Sequence, residues 1–282
     1  MTKWQHILLW TSLGIYVVAR ICQLYADKLP TLLIVILHVA PPAVFALIHG
    51  SILYRVRGFL IFAACCLGIG GLSESLSLRT GIPFGHYYFT SVMGPKILGL
   101  PILLVLAYLG IGYCSWVLAL LILGYIDKPL EGGRTIIVPI IAGFIMLTWD
   151  LSMEADWSTV DRAWIWRDGG PIYGVPVSNF FGWYLTSFLF FQAFALYCKH
   201  KVKSRYPTSP SYWRAAILLY AVCAFGNLLI LRLPMAPPTV IDSSGRQWVT
   251  AEILFAGALI SCLAMGPIAL LAWLRLRLQE SR

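Results

Sequence analysis

A succession of apolar runs, each about 20 residues long, occupies most of this chain, and no other feature limits its possible folds so severely. A bilayer hydrocarbon core about 30 Å thick takes roughly 20 apolar residues per helix. Such runs lie approximately at Ile7–Ala26, Thr31–Tyr54, Phe59–Leu78, Leu98–Ile126, Thr135–Met153, Phe180–Lys199, Trp213–Leu231 and Ala251–Trp273. Charged residues make up only 12% of the chain, about half the share usual in a soluble domain. The expected fold is an all-α polytopic transmembrane bundle of about eight helices, with residues 1–282 forming a single integral-membrane domain. The first run follows a basic N-terminal end, and no clean small-x-small cleavage site comes after it, so it reads as an uncleaved first helix.

The formal charge of +9 would point to nucleic acid in a soluble protein. Here the basic residues sit in short loops and at helix ends, where they set topology and meet anionic lipid, and no basic face with interleaved aromatics appears outside that pattern. Nucleic acid is therefore not an expected partner; the lipid bilayer is. In an eight-helix arrangement one side holds Lys3, Arg55, Arg57, Lys128, Arg134, the cluster from Lys199 to Arg214 and the C-terminal arginines. The other holds Lys28, Arg79, Lys96, Arg162, Arg167, Arg232 and Arg246. The first side is clearly richer, so the positive-inside rule predicts a multi-pass protein of the cell membrane with both termini cytoplasmic.

Seven cysteines stand singly or adjacent within apolar runs, without CxxC spacing, and read as small core residues. The five histidines show no ligand spacing, and no metal site is expected. Phosphate loops, GxSxG, HExxH and paired Asp-rich motifs are missing, which turns the reading away from nucleotide-driven transport and diphosphate chemistry. Pro41-Pro42 removes backbone donors inside the second run, where a kink is expected.

Polarity concentrates in two connections that this topology puts on one face: Arg79–Lys96, and Thr148–Trp183 with its five acids and five tryptophans. Each follows a helix ending in an acid and carries a Gly/Pro/aromatic run, a hint of a repeated helix–loop–helix unit. Glu74 is either a functional intramembrane acid or an interfacial one solvated by Ser73, Ser75 and Ser77 or paired with Arg79. Asp150 and Glu154 are four apart and share a helix face. Mutual repulsion and lost hydration favour the protonated form that a general acid needs. The alternative for Asp150 is a helix-terminal acid bonded to loop backbone. His86 could relay a proton or tie down its loop, and Asn179 could cap a helix or hold substrate. Tyr87, Tyr88, Trp149 and Trp183 fit an interfacial aromatic belt, and equally fit a π-lined site for a cation. Asp156, Asp161 and Asp168 alternate with arginines and read as loop surface.

GIPFGHYYFTSVMGPKILGLP at Gly81–Pro101, WDLSM at Trp149–Met153, WIW at Trp164–Trp166 and GGPIYGVPVSNFFGW at Gly169–Trp183 resemble the integral-membrane carotenoid biosynthesis family typified by carotenoid 1,2-hydratases. These segments cover about a sixth of the chain. The resemblance implies addition of water across the terminal double bond of an acyclic carotenoid end group, of lycopene or γ-carotene type, giving a tertiary 1-hydroxy group. Carotenoid and water would be its partners, and the chemistry needs no cofactor. Asp150, with Glu74 as the other candidate, would donate the proton. Tyr87, Tyr88, Trp149 or Trp183 would shield the cation, and Glu74, Glu154, His86 or Asn179 would hold the attacking water. One departure is Glu154-Ala155, where the family pattern leads to expect Asp-Pro. A carotenoid cyclase or isomerase would use the same acid without water; a lipid or carotenoid transporter would use Glu74 and Asp150 as gating groups.

Overall fold

The computed structural model describes residues 2–26, 28–201, 209–232 and 237–281. Lys203, Arg205 and Arg282, which weigh in the charge asymmetry, lie outside them. The helices are α1 (Lys3–Cys22), α2 (Thr31–Thr80), α3 (Ile102–Leu123), α4 (Arg134–Ala155), α5 (Val177–Lys201), α6 (Pro210–Leu229), α7 (Thr250–Ile260) and α8 (Gly266–Glu280). A π-turn at Ser261–Met265 joins α7 to α8 as one span, and another at Asp156–Val160 extends α4. Among the described residues seven helical segments are long and apolar enough to cross a membrane, and the chain is a multi-pass helical membrane protein.

One of the seven, α2, accounts for two of the expected runs. Fifty residues of straight helix would reach about 75 Å, more than twice the bilayer core. The backbone instead turns at Arg55 (φ 60, ψ 166) and keeps helical angles through Pro41 and Pro42. The two arms fold back on each other: a Cβ on Gly50 would collide with the Phe59 ring, and Gly94, beyond the second arm, lies against Leu32 at the start of the first. Counting the two arms of α2 separately, the described residues form eight helical passes, and the Trp10–Ser211 and Arg214–Glu280 hydrogen bonds put Lys3 and Glu280 on the same side.

Close packing uses small residues, as expected where lipid competes with every apolar contact. A Cβ on Gly110 of α3 would come within 2.8 Å of Pro42. The α3 helix is buried along most of its length, with Tyr113, Trp116 and Leu118 fully enclosed. His49 is a core residue, held by the Tyr113 hydroxyl at 2.6 Å and stacked on Tyr212.

On the face opposite the termini the connections form three short antiparallel pairs: β1 (Tyr87–Phe89) with β4 (Trp164–Trp166), β2 (Lys96–Ile97) with β3 (Leu100–Pro101), and β5 (Thr239–Ile241) with β6 (Gln247–Val249). The first pair joins the two polar connections, with Tyr87 opposite Trp166 and Phe89 opposite Trp164. Strand alternation sends these four side chains inward and Tyr88 outward.

Candidate active site

Three carboxyl side chains converge under the β1–β4 pair. Glu74, on the second arm of α2, is buried and accepts the Tyr108 hydroxyl at Oε1 (2.8 Å) and the Tyr87 hydroxyl at Oε2. Glu154, one turn beyond Asp150 on α4, accepts both indole N–H groups of β4 at its Oε1, from Trp164 at 2.7 Å and Trp166 at 2.8 Å. Asp150 is fully buried; its Oδ2 accepts from the Asn179 amide at 3.1 Å, and its Oδ1 has no hydrogen-bond partner. A buried acceptor without a partner costs about 1–3 kcal/mol, which favours a proton or a water at that oxygen.

The local sequence explains why these groups meet. Spacing by four sets Asp150 and Glu154 on one α4 face, and W-x-W at strand period turns both indoles toward the same carboxyl. Gly182, near the start of α5, lets Phe84 approach; a Cβ there would lie 2.7 Å from the ring. Asn179, in the first turn of α5, donates its side-chain amide to Asp150.

Between these groups is a cavity with about 30 Å³ open to the centres of water-sized spheres. A single water needs about 10–15 Å³ of probe-occupied volume, so the cavity has room for a few waters. Glu74, Glu154 and Asn179 line it with Tyr87, Trp166 and Trp183, and none of its lining residues is basic. Asp150 does not line it and sits behind Asn179. Trp183 stacks on Tyr108 at 4.7 Å, and Trp149 meets Trp183 edge-on at 6.0 Å. Burial first, then the adjacent Glu74 carboxyl, hold the Tyr87 phenol above its ordinary pKa, so it remains a donor.

Not every residue singled out in the sequence belongs to this cluster. His86 points away, its side chain 56% exposed and its Nδ1 3.2 Å from Asp168. Tyr88 is exposed and lies under the Arg167 guanidinium. Trp149 lines a second, apolar cavity that shares the Trp164 wall. Of the outer acids, Asp161 and Asp168 are surface residues as expected, whereas Asp156 is half-buried, because the helix continues through the π-turn. Tyr108, Trp164 and Trp166 are contacts that sequence reasoning missed. W-x-W carried a signal for the indoles; a lone tyrosine in an apolar helix carried none.

No curated protein and no solved structure matches the chain. Residues 31–242 match the model of a family described as carotenoid biosynthesis protein, a span that contains every residue lining the carboxyl cavity. By that match over most of its length, the chain belongs to the carotenoid biosynthesis protein family.

Proposed function

We propose that the protein is a carotenoid hydratase, adding water across the terminal double bond of an acyclic lycopene- or γ-carotene-type end group to give a tertiary alcohol. The observation that carries this reading is the water-sized cavity bounded by two buried carboxyls and aromatic rings, with no basic residue lining it. Family membership supports an enzyme of carotenoid synthesis, and the adjoining apolar cavity supports a hydrocarbon substrate.

The two lining carboxyls have different environments, which divides the labour. The indoles of Trp164 and Trp166 are donors only, so Glu154 Oε1 must accept, and Oε2 is the oxygen that can carry a proton. Glu74, with a phenol donating to each oxygen, is stabilised as the carboxylate. In this scheme Glu154 protonates the less substituted alkene carbon, and the tertiary cation forms against the π-faces of Trp183 and Tyr87. A cavity water attacks the cation while Glu74 takes its proton, which returns through cavity water to Glu154. Asp150, the foremost donor candidate in the sequence, stands behind Asn179 and is given the part of holding that amide in place. The excess of basic residues on the terminal side supports a cell-membrane orientation with both termini cytoplasmic, which places the site toward the opposite face.

Expression in a lycopene-producing host tests the proposal. The wild-type chain should add the mass of one water per reacting end, and Glu154→Gln should abolish that product while the protein still accumulates. Full activity of Glu154→Gln would refute the donor assignment. A pigment of altered absorption and unchanged mass would identify a cyclase or isomerase; unchanged pigments with altered distribution would identify a transporter.

A further inference from the structure

The apolar cavity beyond Trp164 has about 60 Å³ open to the centres of water-sized spheres, twice the room of the carboxyl cavity. Aromatic and aliphatic side chains from α1, α2, α3, α4, the π-turn that extends α4, and β4 form most of its wall, Trp149, Trp157 and Trp164 among them. Into this wall α1 places a cation, Arg20, which is 5% exposed. Its Nη2 donates to Asn227 Oδ1 at 2.7 Å and, more weakly, to the Cys223 carbonyl at 3.3 Å. Among the described residues Nε is buried without a partner, Nη1 forms no hydrogen bond, and no carboxylate lies within ion-pairing distance. Asp156 is an acid whose charge acts on it.

A guanidinium in a membrane-spanning bundle is costly unless its donors are used. The sequence has made room for this one: a Cβ on Gly226 would overlap it. Asn227 is in turn fixed by its own bonds to Ser152 and Ser261, at 3.0 and 2.9 Å, so Arg20 is held on a framework from three spans. His38, bonded through Nε2 to Gln23, adds a further polar group to the cavity wall beside Arg20 and Asn227. Arg20 also lies before residue 31, outside the segment that matches the family.

We propose that this cavity receives the oxygen-bearing end of an isoprenoid chain, an alcohol or ketone, whose neutral oxygen accepts a hydrogen bond from Arg20 Nη1. The carbons beside that oxygen would occupy the aromatic and aliphatic space. Such an oxygen could belong to a hydroxylated polyene, a case that rests on the hydration proposed above, or to an isoprenoid alcohol of the membrane.

Retention of tritium-labelled ligand on the immobilised, detergent-purified full chain tests the site. Geranylgeraniol is compared with its deoxy hydrocarbon, and 1-hydroxylycopene with lycopene. At least one alcohol should bind about tenfold tighter than its hydrocarbon, a hydrogen bond to a charged donor being among the stronger kinds. Arg20→Met should erase the difference and leave hydrocarbon binding within twofold. Preference for 1-hydroxylycopene alone assigns the oxygen to a polyene, and preference for geranylgeraniol alone to a membrane alcohol. No preference in the wild type, or one that survives Arg20→Met, overturns the proposal, as does a variant that only loses thermal stability. Should Arg20→Met not fold, Ala107→Phe fills the cavity from α3. Undiminished alcohol binding by that variant also overturns it. A chain that binds the alcohol and leaves lycopene unhydrated retains this site and loses the proposed activity.

Discussion

Glu154 Oε1 accepts the Trp166 indole N–H at 2.8 Å, and the Trp164 indole of the same strand closes on that oxygen from 2.7 Å. One carboxyl oxygen thus fixes two of the cavity's walls. Glu154→Gln keeps an acceptor for both indoles and removes the acidic proton; Glu154→Leu orphans two buried donors. The glutamine variant should remain folded and inactive. The leucine variant should lose a further 2–4 kcal/mol or so of stability, read as a lower melting temperature in detergent.

The phenols on Glu74 provide a second test. Tyr108→Phe and Tyr87→Phe each remove one hydrogen bond to a buried carboxyl. Each should lower hydroxycarotenoid formation by about tenfold or more at a stability cost of roughly 1–3 kcal/mol, and the double variant should exceed either. Pigment analysis alongside protein quantification would separate the two effects.

His86 and Tyr88 serve as controls, since both are exposed on the outer side of the β1–β4 pair. Alanine at either position should leave pigment hydration within about twofold of wild type, as expected for surface changes. A loss of two orders of magnitude at His86 would show that the site extends to the surface.

Gly110 tests the packing of the bundle. Valine there would drive its side chain into Pro42 and the Ala43 backbone, at 2.8 and 2.9 Å from Cβ alone. Separation of α3 from the first arm of α2 should cost at least 1–3 kcal/mol and reduce the amount of folded protein recovered, measured by size-exclusion profile and thermal unfolding.

The membrane architecture was legible in the residues because lipid imposes a length and a polarity on every span, whatever the neighbouring helix does. Eight runs became eight passes, even though the second and third are one helix bent at Arg55. The acids at 74, 150 and 154 were also legible, because carboxyls in apolar helices stand out in the sequence. Which of them face one cavity was not: that depends on helix rotation and on the β1–β4 register, both set by long-range packing. The register turned Tyr87 inward and Tyr88 outward, and an amide contact from α5 drew Asp150 behind Asn179. Tyr108 and Arg20 entered only with the tertiary structure, for an isolated polar group in a helix gains its meaning from what the neighbouring helices leave unpaired beside it.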